Sequence, residues 1–301
     1  MAKHEHAVAT SRSPWAVAAK QFMRSYSAMF GLTLSLILVC VAIFAPWITP
    51  QNPYDLMQLD VLDSRLPPGS ENGLGTYHYL LGTDGQGRDI YSGIFYGLRI
   101  SLMVGLGSAL IAAVLGTSLG LLAAYAGGRT DAIIMRVVDL ILSFPSILVA
   151  MMILAYLGKG VSNVILTLVI LEWAYYARTA RGQALVETQR EYVEAAHCLG
   201  MPHWRIMLSE ILPNCMPPLI VIATLQVARA ITLEATLSFL GLGVPITEPS
   251  LGLLISNGFQ YMLSGEYWIS LYPGLALLLT IVALNLVGDR LRDVLNPRGQ
   301  S

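Results

Sequence analysis

The chain has 301 residues, 55% of them hydrophobic and only 12% charged, whereas about a quarter of an average soluble domain is charged. A mean hydropathy of +0.61 places it among membrane proteins; the net charge of −1 says nothing about nucleic acid, but no basic patch with interleaved aromatics is present, so no nucleic-acid partner is expected. The three cysteines, Cys40, Cys198 and Cys215, have neither metal-ligand nor disulfide spacing.

In chain order, residues 1–28 are polar and weakly basic and read as a cytoplasmic N-terminal segment. The apolar run at 29–48 is too long for the core of a secretory signal, so it reads as a first transmembrane helix, ended by Pro46, Pro50 and Pro53. A hydrophilic external loop at 49–97 contains "LGTDGQGRDI", which lacks the aspartate spacing of a calcium loop and reads as a turn. Further spans are predicted at 100–126, at 137–157 with Pro145 near its start, and at 161–177, 217–242 and 267–288. Together they define a core transmembrane domain over 98–290, followed by a cytoplasmic tail at 291–301. A bilayer core takes roughly 20 apolar residues as helix, and only helices satisfy their own backbone in such runs. The expected fold class is therefore an all-α membrane protein with six transmembrane helices. The second span carries Gly105, Ala109, Ala113, Gly116 and Gly120 on a small-residue face, a helix–helix seam within this chain or with a partner chain.

Six spans put both termini on one side of the membrane, and the basic residues say which. Of the 18 Lys and Arg, only Arg65, Arg88, Arg99 and Lys159 fall on the opposite side, and Arg229 lies within a span. The positive-inside rule then makes both termini cytoplasmic. On the same side lies a polar interruption between the fourth and fifth spans, "EYVEAAHCLGMPHWRIMLSEILPN" at 191–214. It reads as two short helices: a first up to Leu199, with Gly200 as its C-cap, and a second with Pro202 in its first turn, ending near Pro213. Ala195 and Ala196 leave room for another backbone, and Glu194 offers a carboxylate nearby, so the segment looks like a docking knob. An amphipathic helix lying on the membrane is the plainer alternative.

The longer pattern resembles the EAA-x3-G-x9-I-x-L-P signature of permease subunits of ATP-binding-cassette (ABC) importers. Glu194, Ala195, Ala196, Gly200, Leu212 and Pro213 match it, while position 210 is Glu rather than Ile. "LLGTDGQGRDIYSGIFYGLRISL", "RVVDLILSFPSILVA", "LSFLGLG" and "LNLVGDRLRDVLNP" are similar to the second permease subunit of dipeptide, oligopeptide and nickel importers. The chain departs from that pattern at Arg290, where a third residue of Gly-Asp-Gly is usual, and at "VPITEPS", which replaces a Gln-Pro-Pro stretch. The resemblance implies a type I ABC importer permease with a cytoplasmic coupling helix around 190–212 that sits in a groove of an ATPase subunit. It implies a sister permease, two ATP-binding cassette ATPases and an external or periplasmic solute-binding protein as partners, in a bacterial cytoplasmic (inner) membrane. Dipeptides or short oligopeptides are the implied cargo; nickel chelates, glutathione, opines and antimicrobial peptides stay open.

The chain itself is not expected to be an enzyme. Its lysines are Lys3, Lys20 and Lys159, and Lys159 is followed by Gly160 rather than the Ser or Thr of a phosphate-binding loop. No cofactor is expected on this chain; ATP and Mg belong to the partner subunits. No nucleophile triad, zinc motif or carboxylate pair stands out. Glu172, Arg229 and Glu234 are ionisable residues placed well inside spans. They read either as a translocation cavity, with Arg229 attracting a peptide carboxylate, or as interhelical ion pairs, the reading favoured by sequence alone. An ion-coupled secondary transporter is the main rival for the whole chain, although no internal repeat is visible; a channel-forming structural subunit is a weaker one.

Overall fold

The computed structural model describes residues 14–248 and 250–295. The chain ends, including Lys3, Arg12, Pro297 and Arg298, lie outside them. A short helix α1 (Pro14–Met23) leads into α2 (Tyr26–Ile48), whose N-cap Ser25 accepts from the Ala28 N–H. Pro46 sits inside the last turn of α2 rather than ending it. Two single-turn 3-10 helices and a two-stranded antiparallel ribbon, β1 (Ser70–Glu71) and β2 (His78–Tyr79), fill the hydrophilic segment that follows.

The ribbon leads into the "GTDGQGRD" stretch, which closes on itself as a turn. The Asp84 N–H donates to the Arg88 carbonyl at 2.9 Å, and the Asp84 carboxylate accepts from the Gln86 and Arg88 N–H groups. Thr83 Oγ1 donates to the Asp63 carbonyl, and the Tyr79 hydroxyl donates to the Asp63 carboxylate at 2.8 Å. Asp89 then caps α3 (Ile90–Ala126), accepting from the Ser92 N–H at 3.0 Å and from the Ser92 hydroxyl at 2.5 Å. The helix that carries the second span therefore begins at Ile90, before the expected residue 100.

The expected third span is not one helix. Phe144 precedes a proline and is pushed out of the helical region, so α4 (Gly128–Ser143) and α5 (Ser146–Leu157) meet at 94°. Next comes α6 (Val161–Glu187), followed by α7 (Glu191–Cys198), a three-residue α8 (His203–Arg205), a π-helical turn (Ile206–Ile211) and α9 (Leu212–Phe239). A buried helix α10 (Leu251–Phe259) lies where a loop was expected, ahead of α11 (Trp268–Leu295). Among the described residues four helices are long and apolar enough to cross a membrane, or five if the bent α4–α5 pair is one span, so the expected six is not matched exactly. The helix that drops out is α6: at 27 residues it is long enough, but Asn163, Glu172 and Arg178 dilute its hydropathy. It tolerates them because much of its surface is covered by neighbouring helices.

What covers α6 is the small-residue face of α3. A Cβ added to Gly116 would lie 2.2 Å from the Trp173 carbonyl oxygen, and one on Gly120 would lie 2.4 Å from that of Ala177. The two glycines and their two contacts are each four residues apart, so matching turns of the two helices meet. Ala174, Ala177, Ala180 and Ala184 are buried along the same seam. Gly105, higher on α3, faces Ile231 of α9 at 2.5 Å from its would-be Cβ. The seam is thus internal to the chain. Comparable approaches set Gly31 of α2 against Leu286 of α11, and Gly252 of α10 against the Ala235 carbonyl of α9.

These contacts predict a contrast between glycines. Gly116→Val must separate α3 from α6 and costs about 3 kcal/mol or more, as overpacking does at its upper end. Gly182→Ala, where a Cβ meets nothing within 4 Å, gains about 0.5–1 kcal/mol of helix propensity. Thermal unfolding of the purified protein in detergent checks both: the first variant melts well below the parent, the second at or above it.

Candidate coupling elbow and intramembrane charges

The polar interruption folds as a stiff elbow. In α7 the C-terminal residues make a complete Schellman cap: the Gly200 N–H donates to the His197 carbonyl at 2.9 Å, and the Met201 N–H to the Ala196 carbonyl at 3.2 Å. Gly200 adopts φ +69°, which a side chain would strain. Pro202 follows as the N-cap of α8, one position before the helical turn in which sequence placed it.

Burial divides the predicted docking residues between two faces. Val193 and Ala196 turn inward onto Ala184, Ile206, Ile211 and Leu219. Glu194, Ala195, Gly200, Pro202 and Pro213 are exposed. Ala196 is therefore part of the chain's own core, and the outward surface is completed by two apolar side chains that sequence reasoning passed over: Leu199, 80% exposed, and Trp204, 64% exposed. The second short helix does not end near Pro213 either. It passes through the π turn into α9, and Pro213, Pro217 and Pro218 all lie within that helix. The side-chain amide of Asn214 donates to the Glu210 carbonyl at 2.7 Å, helping to hold the irregular turn.

Two aromatic contacts fasten the elbow to the spans. The Tyr192 hydroxyl donates to Glu187 at 2.6 Å and accepts from the Asn214 amide at 3.2 Å, tying α7 to the ends of α6 and α9. Burial and the neighbouring Glu187 push this phenol up to about 12, so it remains a donor at neutral pH. On the other side of the turn, the Tyr125 hydroxyl at the end of α3 hydrogen-bonds His203 Nδ1, and His197 and His203 pack with ring centroids 5.5 Å apart. Nothing in the sequence pattern pointed to these partners, because Tyr125 is 78 residues from His203. The ion pairs Arg181–Asp131 and Arg178–Asp139 join α4 to the C-terminal half of α6.

The three intramembrane charges do not pair with one another. Glu234 is fully buried and accepts from the hydroxyls of Ser101 at 3.0 Å and Ser238 at 2.7 Å, which clips α9 to α3. Glu172 is 2% exposed, and neither of its oxygens has a hydrogen-bond partner. Arg229 is exposed and lies over the Tyr175 ring, 4.4 Å from its centroid. A charge at this depth costs roughly 2.5–3.5 kcal/mol against lipid, so an exposed Arg229 needs a polar neighbour beyond this chain.

These features define a multi-pass helical membrane protein whose polar interruption presents a rigid, partly apolar knob. Residues 116–300 match the profile of the binding-protein-dependent transport system inner membrane component, and residues 13–68 that of the N-terminal TM domain of oligopeptide transport permease C. The chain belongs to the first of these families, which comprises membrane permease components rather than catalytic enzymes. It is 40% identical to the di/tripeptide transport system permease protein DppC of Pseudomonas aeruginosa, over 93% of this chain and 92% of that one. It is 38% identical to the dipeptide permease DppC of Haemophilus influenzae, over 92% of each chain. With the glutathione permease GsiD of Pectobacterium atrosepticum it shares 36%, over 96% of this chain and 93% of that one. A solved inward-facing MetNI methionine ABC transporter matches in fold, with a TM-score of 0.57 at 20% identity over 68% of this chain and 97% of that chain.

The Tyr192 anchor yields a prediction. Tyr192→Phe removes the hydrogen bond to Glu187 and loosens the elbow by about 1.5–3 kcal/mol, the range for a bond to a charged group. Hydrogen exchange of 191–205 should rise in the variant, while the melting temperature of the whole protein in detergent moves little.

Proposed function

We propose that this chain is one permease of an ATP-driven importer for dipeptides or short oligopeptides, and that its α7 elbow docks on an ATPase subunit. The observation that carries the docking is the exposed surface of Glu194, Ala195, Leu199, Gly200 and Trp204 on a capped turn that is itself held to three spans. Such a surface transmits a push without yielding. The peptide assignment is supported by the relatives named for di/tripeptide and dipeptide transport; the relative named for glutathione, itself a tripeptide, keeps the cargo within the same chemistry.

In this reading two ATPase subunits, which carry ATP and Mg, close and move the elbows of this chain and of a sister permease. The spans rock as rigid bodies between inward-facing and outward-facing states, because packed helices are bistable rather than continuously deformable. An external binding protein delivers solute to the outer face. The assignment places the chain in a bacterial inner membrane, with the residue 14 end, the elbow and the residue 295 end on the cytoplasmic side and the ribbon outside. The same reading divides the chain into the N-terminal segment 1–28, the first span, the external loop and the core 98–290 with its tail.

The test is the double variant Glu194→Ala, Gly200→Val in the assembled transporter. A valine at φ +69° costs roughly 1–2 kcal/mol. With the lost carboxylate, ATP-dependent peptide uptake into proteoliposomes should fall roughly tenfold or more, since each 1.4 kcal/mol is a factor of about ten. The variant chain should still insert. Unchanged uptake would remove the elbow from the coupling pathway.

A further inference from the structure

Glu172 and Arg229 approach the same level of the membrane from opposite directions. Glu172 lies eleven residues along α6 from its Val161 start, and Arg229 ten residues before the Phe239 end of α9, which puts each about 15–16 Å from the outer end of its helix. That is the middle of a bilayer core of about 30 Å. At this level the chain shows a guanidinium with no acid within ion-pairing distance among the described residues, laid on the face of Tyr175. One helical turn along α6 from Tyr175 sits a carboxylate with both oxygens unpartnered, and Arg229 is the cation whose field reaches it. A surface that faced lipid would hide such a cation. A surface that met only packed helix would pair it.

We infer that Arg229, braced by Tyr175, is a binding site for the carboxylate of the transported solute, and that Glu172 is the acidic side of the same polar zone. This rests on the importer reading. A guanidinium offers a planar pair of donors that matches a carboxylate, and stacking on an aromatic face holds that plane in place without spending its N–H groups. The unpartnered Glu172 oxygens give the zone a second acceptor, of the sign that suits a solute ammonium. Glu234, satisfied by serine hydroxyls and fully buried, takes no part. Tyr175 acts here as a positioning residue.

The experiment uses the whole transporter in proteoliposomes, with alanyl-alanine and its C-terminal amide as probes. The ratio of their ATP-driven uptake is compared between parent and variant, so that any preference of the binding protein cancels. Arg229→Ala should lower uptake of the free-carboxylate peptide about tenfold relative to the amide, as expected for loss of a charge-assisted pair. Arg229→Lys should restore part of it. Tyr175→Leu should shift the ratio in the same direction, and Tyr175→Phe, which keeps the ring, should not. Equal loss for both probes, no loss, or separation of the sister permease from the Arg229→Ala chain during purification would each overturn the assignment; the last would make Arg229 an interface residue. If the parent transporter imports neither probe, the peptide-importer reading fails, and the parent arm alone reports that.

Discussion

Everything in this chain is arranged around the absence of two side chains. At Gly116 and Gly120 the backbone of α3 lies against the carbonyls of α6, closer than any Cβ permits. In lipid, where apolar burial drives helices together only weakly, that intimacy of backbones is the main source of cohesion. It fixes α6 against α3, and α6 in turn carries Glu172, Tyr175 and the two arginines that reach α4. Because α6 is sheltered, it tolerates polar residues that a lipid-facing helix would not. The least hydrophobic of the long helices can thus carry Glu172 to the level at which α9 holds Arg229 and Glu234.

The same logic separates what the sequence revealed from what it concealed. The membrane class, the glycine face and the Gly200 turn were legible, because each follows from composition or from a local backbone rule. The early start of α3 was legible in principle: Asp89 three residues before Ser92 is a helix-start signal, but the apolar-run criterion overrode it. Pro145 was seen and underrated; its effect on Phe144 turns an expected span into two helices at 94°. The opposite error was made at Pro213, where local chemistry says stop and the chain instead runs on as α9. α10 was missed because its glycines, Gly252 and Gly258, look like loop residues, yet they are what lets it press against the backbones of α9 and α11.

At the candidate sites the sequence spacing placed residues on the right elements but not on the right faces. Ala195 and Ala196 are adjacent and point to different faces of the helix, and it is Ala196 that joins Val193 and Ile206 in the buried cluster. Arg229 and Glu234 are five residues apart on α9 and so point to different faces, and each finds its own partner: hydroxyls for Glu234, an aromatic face for Arg229. Tyr125 was invisible because its partner is 78 residues away, and Tyr192 because its nearby partner Glu187 lies across a helix boundary and its other partner, Asn214, is 22 residues on.

The three prolines at the foot of α9 have a mechanical meaning. Each lacks the N–H that would tether it to the preceding turn, so the helix has missing rungs just above its π-helical segment. Over 206–218 the backbone therefore makes three fewer hydrogen bonds than an unbroken helix of the same length. The stretch that joins the α7 elbow to the packed half of α9 is therefore tied by side chains as much as by its backbone, with Asn214 bridging Glu210 and Tyr192 across it.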